Sequence, residues 1–586
     1  MLSLLTDPFL QLPTAFTVNV VWFTEWQGDC HWVDYGDGLK QQVSASSQQV
    51  ILQEDGRSHW HGAPSFQLGK AVTVIDRPVW RHEAVVVGLK TGDALPYQVV
   101  SVPTSQESVD DRPVKSGTFF LSPLPLPQQN LKILLTSDHQ MMPMVPQTLH
   151  HAAQLFEKFD AVFYAGDMVN VPDRCSEWFD DRRGRSFFPC FQGRAIAQKP
   201  SENQSSFEID PTIDRIISDE VNTQHAGGKI LQNTPIFTCI GNHEVMATTG
   251  GSDGLSGQFP IPKSIKTENP KDQIWIDDEL SKLESKLLET GDRPFSTNTY
   301  ESIFTLPKDS PGGKRYYATT FGSVRLISLE ATNVWRWYHM NDDTKGRYQE
   351  RVKDFNNPQE WGGGQFIFEP IKQGSIQYQW LEEQLQHPDF KRAKYRVVMF
   401  HHPPHSLGNN IVPPYTDPQQ EIQRDNNEEI TSIRYHYDRD KDYLIRDVMP
   451  LLEQAGVQLV YYGHCHLWNR FEQTTDWGTM HFLESSHAGN THGAAWGDIH
   501  RKIPDKLKGD RNYIAVGNPN GLTPIVPNIS PLLDSKTKEP LPYIAHDKVG
   551  VFSVFDTGSG EISSYRYESG KSPVKFDVFK LTSSTE

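Results

Sequence analysis

Five short apolar runs along the chain each give way abruptly to a knot of polar residues. Leu131 to Thr136 (LKILLT) leads into Asp138-His139, and Ala161 to Ala165 (AVFYA) into Gly166-Asp167. Ile236 to Ile240 (IFTCI) leads into Gly241-Asn242-His243-Glu244, Val397 to Phe400 (VVMF) into His401-His402-Pro403, and Leu459 to Tyr462 (LVYY) into Gly463-His464-Cys465-His466. Runs this short, rich in β-branched and aromatic residues and without strict alternation, predict strands buried on both faces. Between them, His150 to Phe159, Gln377 to Gln386 and Tyr443 to Ala455 read as helices. Strands alternating with helices predict an α/β unit with helices on the faces of its sheet. Ligands in such sheets gather at the carboxyl ends of the strands. Clusters of Asp, Asn and His at five strand ends are therefore expected to meet in one place.

Upstream the pattern changes. Ala15 to Trp22 (AFTVNVVW) alternates loosely, and Ala71 to Ile75, His82 to Val87 and Tyr97 to Val102 are further strand candidates separated by turns bearing Gly and Pro. Short strands at this spacing predict an all-β sandwich over residues 14–122. The Pro-rich stretch Leu121 to Gln129 reads as a stiff linker to a larger unit over residues 130–586. Long polar stretches interrupt that unit at Asp173 to Asn233, Ala247 to Gly313, Thr332 to Gly374 and His405 to Asp438, with a helix candidate at Trp275 to Leu288. Insertions after strands either build the rim of a pocket or decorate the surface.

Composition narrows the class. With 586 residues, 37% hydrophobic and 22% charged, the chain is an ordinary globular protein. A formal net charge of −17 argues against nonspecific nucleic-acid binding, which needs a basic surface. The five cysteines are too few and too scattered for a disulfide framework, although one bridge such as Cys175 with Cys190 stays open. No run approaches the roughly 20 apolar residues of a membrane helix. The start MLSLLTDPFLQLPTAF lacks Lys and Arg and makes a poor signal peptide, so no membrane partner and a cytoplasmic location are expected.

Asp, Asn and His together suit ions of borderline hardness such as Fe, Zn and Mn. On an extended segment alternate residues point the same way. His464 and His466 would then face one site while Cys465 points away, as a small apolar residue. By the same rule, if Asp138 faces in, His139 faces out and Gln140 faces in. Gly241 and Gly463 fit sharp turns and close backbone approach.

The order Gly-Asp, Gly-Asn-His-Glu, His-x-Pro and Gly-His-x-His resembles the calcineurin-like metallophosphoesterase family over roughly residues 130–500. His82 to Val99, with Gly-Leu-x-x-Gly-x-x-x-x-Tyr, looks like part of the fibronectin-type domain that precedes the catalytic domain of purple acid phosphatases. Gln377 to Leu385 resembles their Gln-x-x-Trp-Leu helix. The resemblance implies a four-layer α/β/β/α sandwich preceded by the all-β domain, and a dinuclear centre of divalent or trivalent ions. It assigns Asp138, Asp167 and His466 to one ion, and Asp167, Asn242, His401 and His464 to the other, with Asp167 bridging. His243 would stand beside the leaving group as general acid. The implied reaction is attack of a metal-held hydroxide on a small-molecule phosphate monoester. The alternatives are a phosphodiesterase on nucleotides or lipid headgroups, and a weakly catalytic interaction protein. Oligomeric state is left open.

The chain departs from the family twice. Gln140 stands where the family has His and the purple enzymes have Gly. Asn170 stands where the purple enzymes carry the Tyr whose phenolate gives their colour; it either hydrogen-bonds His243 or is a solvated turn residue. Glu244 either orients its loop or caps a following helix. Trp335, Trp337, His405, Arg434, His436, His487 and His492 lie in or beside the insertions and are rim candidates, each with an ordinary surface or core role as the simpler reading. Without a tyrosine at position 170, the metal-loaded protein is expected to be colourless or nearly so. A strong visible charge-transfer band in its absorption spectrum would overturn that expectation.

Overall fold

The computed structural model describes residues 2–60, 73–107, 112–196, 225–245, 254–255, 296–335, 350, 352–357, 365–367, 369–408, 415–416, 419–489, 520–525 and 549–582. The helix candidate Trp275 to Leu288, and Trp337 and His492, lie outside these residues, and the side chain of Trp335 is not described.

The N-terminal part is a sandwich of two antiparallel sheets. Its strands are β1 (Phe9–Gln11), β2 (Thr17–Thr24), β3 (Cys30–Tyr35), β4 (Gln41–Ser44), β5 (Ser46–Glu54), β6 (Ile75–Val87), β7 (Leu95–Val102), β8 (Val114–Lys115) and β9 (Phe119–Leu121). One sheet runs β1-β2-β6-β5 and the other β4-β3-β7-β8, with β9 also on β7. The loose alternation of β2 has a physical cause. Val18, Val20 and Trp22 pack between the sheets with Val33, Tyr97 and Val99. Val21 and Phe23 point the opposite way, into the core of the downstream unit. A strand covered on both sides has no polar face to display. The expected strand at 82–87 is the second half of β6; of the one expected at 71–75 only Ile75 belongs to it, Thr73 and Val74 are not strand, and Ala71 and Val72 lie outside the described residues. Pro78 is tolerated inside β6 because β2 pairs only with Trp80 to Val87, leaving β5 as its one neighbour there.

The downstream unit has two six-stranded sheets. Its strands in chain order are β10 (Lys132–Thr136), β11 (Ala161–Tyr164), β12 (Ile236–Thr238), β13 (Tyr317–Phe321), β14 (Val324–Ser328), β15 (Asn333–Trp335), β16 (Gln365–Ile367), β17 (Tyr395–Met399), β18 (Gln419–Arg424), β19 (Ile430–His436), β20 (Leu459–Tyr462), β21 (Trp468–Thr475), β22 (Gly478–Ser485), β23 (Val549–Asp556), β24 (Glu561–Glu568) and β25 (Val574–Lys580). One sheet runs β12-β11-β10-β23-β24-β25 and the other β13-β14-β17-β20-β22-β21. The five runs read from the sequence are β10, β11, β12, β17 and β20, parallel to their neighbours in each set but divided three and two between the sheets. The sheets stack face to face. Phe237 packs on Phe321 (centroids 5.6 Å apart) and Tyr395 on Phe555 (5.0 Å). A polar chain crosses the same interface: Trp468 Nε1 donates to Ser564 Oγ (3.0 Å), which meets Ser553 Oγ (2.8 Å), itself 2.9 Å from Ser485 Oγ.

Helices cover both outer faces, giving four layers. Val145–Leu155 lies on the first sheet, with Thr148 Oγ1 2.7 Å from Tyr567 Oη. It starts before the expected His150 because Pro146 fits a first turn, where no N–H is needed. Ile376–Gln386 lies on the second sheet, capped by Ser375, whose hydroxyl accepts from Tyr378 N. The helix expected over Tyr443 to Ala455 is a π turn (Leu444–Val448) followed by an α-helix (Met449–Gln454). Pro450, which has no N–H for the i−4 bond, sits at the junction. All five cysteines are free thiols, Cys175 and Cys190 included. Among the described residues no helix is long and apolar enough to cross a membrane.

The sandwich docks through apolar contacts and ions. Phe23 packs on Phe179 (5.0 Å) and Phe188 (5.7 Å), and Arg77 of β6 bridges Glu54 to Asp180. Phe23→Ala should cost about 3–5 kcal/mol, the usual effect of deleting a buried ring. Thermal unfolding should show this as a lower midpoint for the whole chain; an unchanged midpoint would mean that the two parts unfold independently of this contact.

Candidate metal centre

The polar knots sit where β10, β11, β12, β17 and β20 end, and the backbone there is tightly turned. Among the described residues ten non-glycine positions have positive φ. Six of them are here: Asp138 (55°), Gln140 (39°), Met141 (60°), Asp167 (58°), His464 (83°) and His466 (50°). Left-handed conformations at such residues cost energy and cluster where a fold over-determines them. Extended alternation is thus not what aims Asp138, Gln140, His464 and His466; left-handed turns are. The outcome for the first knot is nonetheless as expected. Gln140 Nε2 donates to Asp167 Oδ2 (3.0 Å). His139 turns away, bonded to Thr136 Oγ1 (2.9 Å) and stacked on Phe191; burial lowers its pKa to about 3 and keeps it neutral.

Two glycines allow the loops to meet. A Cβ on Gly241 would lie 2.1 Å from Asp167 Oδ1, and one on Gly463 would lie 2.4 Å from Asp138 Oδ2. Asp138 accepts the His464 N–H on both oxygens (3.0 Å each) and a bond from Ser137 Oγ (2.5 Å), and its Oδ1 lies 3.6 Å from His466 Nε2. Asp167 Oδ2 lies 3.1 Å from His401 Nε2, and Asp167 Oδ1 accepts from the His243 N–H (2.9 Å). Asn242 Oδ1 is ringed by His464 Nδ1 (2.9 Å), His401 Nε2 (3.1 Å) and His402 Nε2 (3.1 Å).

This donor set fits a cation. His401 Nδ1 donates to the Ala165 carbonyl (2.7 Å), so in the neutral ring the Nε2 lone pair faces two further acceptors, Asp167 Oδ2 and Asn242 Oδ1. A cation at Nε2 reconciles them. Without an ion a second proton on His401 serves: burial alone would lower its pKa, but Asp167, assisted by Asp138, lifts it to about 10. Burial raises Asp138 well above the usual carboxylate range; Asp167, which burial would also raise, is held below it by His401 and His243. Asp138, Asp167 and His401 form one group whose ligand atoms lie within 4.8 Å of one another, and His401, His402 and His464 form a second.

Two buried acids hold the loops. Glu244 accepts the N–H groups of Asp167 (2.8 Å), Gly241 (2.8 Å) and Met168 (2.7 Å), which makes it a loop clamp. Glu484, at the end of β22, accepts from Cys465 N (2.9 Å), Ser406 Oγ (2.9 Å) and Asn469 Nδ2 (2.6 Å). Burial raises both to about 7. The Glu484 clamp was not read from the sequence, where the one signal is an acid closing an apolar strand. Nor was His402, hidden beside His401. Cys465 is buried, and its thiol pKa is pushed well up by burial.

His243 Nδ1 donates to the backbone carbonyl of Asn170 (2.7 Å). The Asn170 side chain goes elsewhere, donating to the Gln140 carbonyl (2.8 Å). The Asn170 and Val171 N–H groups rest on Glu177 Oε2 (2.6 and 3.0 Å), Glu177 binds Arg174 (2.8 Å), and Arg174 binds Asp55 (3.2 Å), the residue after β5. A continuous polar chain thus links the sandwich to His243. Of the rim candidates, His405 packs on Phe482 (4.5 Å) in the core, and His487 is buried. Arg434 and His436 lie on the β18–β19 hairpin, where His436 pairs with Glu421 (2.6 Å).

Residues 131–467 match the sequence model of the family described as calcineurin-like phosphoesterase. That segment is more than half of the 586 residues, and the chain belongs to this family of metal-dependent phosphoesterases. Among solved structures, the chain is similar to purple acid phosphatase PPD1 from seeds of yellow lupin (Lupinus luteus), with a TM-score of 0.52 and 13% identity over 98% of this chain and 74% of that one. At that identity the likeness concerns the fold: a β-rich N-terminal part followed by the metallophosphoesterase sandwich. No curated protein sequence matches the chain.

Gly241→Ala should displace Asp167 and cut metal retention. Elemental analysis after dialysis is the check, and full retention would mean that the loops can move apart at no cost.

Proposed function

We propose that this chain is a dinuclear metal-dependent phosphatase acting on a small-molecule phosphate monoester, with residues 130–586 as the catalytic unit. The observation that carries the reading is the meeting of Asp138, Asp167, Asn242, His401, His464 and His466 at strand ends drawn from two sheets, with His243 tied to the same carboxylate by its backbone. Asp138, Asp167 and His466 would hold one ion and Asp167, Asn242, His401 and His464 the other, drawn from Fe, Zn or Mn. When bound, such a pair clamps phosphoryl oxygens and makes water a better nucleophile.

The chain's own groups do the rest. His401 keeps its Nδ1 proton on the Ala165 carbonyl and so presents Nε2. Asp167 is fixed by Gln140, the His243 N–H and the Glu244 clamp, so it need not reorganise during reaction. His243 has its Nδ1 proton committed to Asn170, so its Nε2 gives a proton to the departing oxygen when the ring enters the reaction as imidazolium. The net charge of −17 disfavours long polyanionic substrates.

Asp167→Ala and His464→Ala should each abolish hydrolysis of an aryl phosphate monoester; activity retained in either would sink the proposal. His243→Ala should keep the metal yet lose on the order of 10²–10⁴ in kcat. Rates on matched mono- and diesters, measured side by side, decide between phosphatase and phosphodiesterase.

A further inference from the structure

We propose that His402 is an additional imidazole ligand of the second ion, so that the two metal positions of this chain are unequal and fill in order. The inference rests on the dinuclear reading above and deepens it. His402 Nε2 lies 3.1 Å from Asn242 Oδ1, as far as His401 Nε2 does, and its ring centroid is 4.3 Å from that of His464. Two donors each about 2.1 Å from one ion, at angles between octahedral and tetrahedral, stand roughly 2.9–3.4 Å apart. The spacing around Asn242 fits a shared ion as well as it fits hydrogen bonds.

Hydrogen bonding alone explains the cluster poorly. An amide oxygen has two lone pairs, yet three imidazole nitrogens face Asn242 Oδ1, and Thr332 Oγ1 also approaches His402 Nε2 (3.4 Å). The other nitrogen of His402 is fixed as a ligand's would be. Its Nδ1 lies 3.0 Å from the hydroxyl of Tyr415, which is fully buried. A second hydrogen bond of this kind sets the tautomer and aim of a ligating histidine. Tyr415 belongs to the stretch His405 to Asp438, so an insertion reaches the centre through this bond.

The first position is poorer in proportion. It has Asp138, Asp167 and His466, and where the family has an imidazole it has Gln140, whose amide N–H is spent on Asp167 Oδ2 (3.0 Å). Neutral amide donors hold such ions less well than imidazoles do. The second position therefore takes metal first, and the first position fills only when free metal is plentiful. A phosphoesterase needing both ions would then respond to ambient metal level.

The experiment titrates chelator-stripped protein with Zn²⁺ by calorimetry and counts imidazoles at one equivalent by X-ray absorption. Wild type should bind in two steps with Kd values at least about tenfold apart, and three imidazoles should surround the first ion. His402→Ala should weaken the first step by about 10–100-fold, the range for disturbing a metal site's surroundings, and drop the count to two. Gln140→His, which supplies an imidazole at the first position, should tighten the second step. Coincident steps in wild type, or an unchanged first step and count in a folded His402→Ala, overturn this inference while the dinuclear phosphatase stands. If the stripped protein takes up none of Zn²⁺, Fe²⁺ and Mn²⁺ in the same titration, the phosphatase reading fails with it.

Discussion

The Glu244 carboxylate binds three backbone N–H groups at once, at Gly241, Asp167 and Met168, and the remaining geometry of the centre follows from that clamp. It joins the loop after β11 to the loop after β12, and in doing so sets Asp167 against Gly241 at a separation no side chain could share. With Asp167 placed, Gln140, His401 and the His243 N–H have a common partner. Glu484 does the same for the other sheet by holding the Cys465 N–H, and with it the turn that carries His464 and His466. Two buried acids, one for each sheet, therefore prepare a site in which two more acids can be tolerated.

The strands that matter were legible because burial on both faces leaves a strong mark: LVYY or AVFY has nowhere to be but inside. Their order and the polar knots beyond them were legible for the same reason. Which sheet each strand joins was not, since a run covered on two sides looks alike in either. Nor did local pattern reveal that β2 serves two cores, that β6 is one strand across Pro78, or that Pro146 starts a helix a turn early. Side-chain direction at the knots was anticipated correctly for Gln140 and His139 from a premise the backbone does not honour. Periodicity knows nothing of left-handed turns, and those are what aim Asp138 and His466.

His402 and Glu484 escaped for a different reason. Each is one polar residue beside an already informative neighbour, and only the third dimension separates ligand from bystander. Gln140 and Asn170 were visible as departures, but their consequences were not. Asn170 serves His243 through its carbonyl, which any residue could supply, so the absence of a tyrosine there leaves the placement of that imidazole untouched.

The chain of contacts from Asp55 through Arg174 and Glu177 to the Asn170 backbone bears on how the molecule can be inherited. A buried Arg174 shared between an acid of the sandwich and an acid of the site makes the two parts answerable to each other's sequence. A shuffled gene that supplied a different β-domain would have to bring its own acid to the same spot, or leave a stranded charge one step from the His243 loop. Modules joined only by a linker are interchangeable; these two are held to a common lineage by two guanidinium groups, Arg174 and Arg77, each set between acids of both parts.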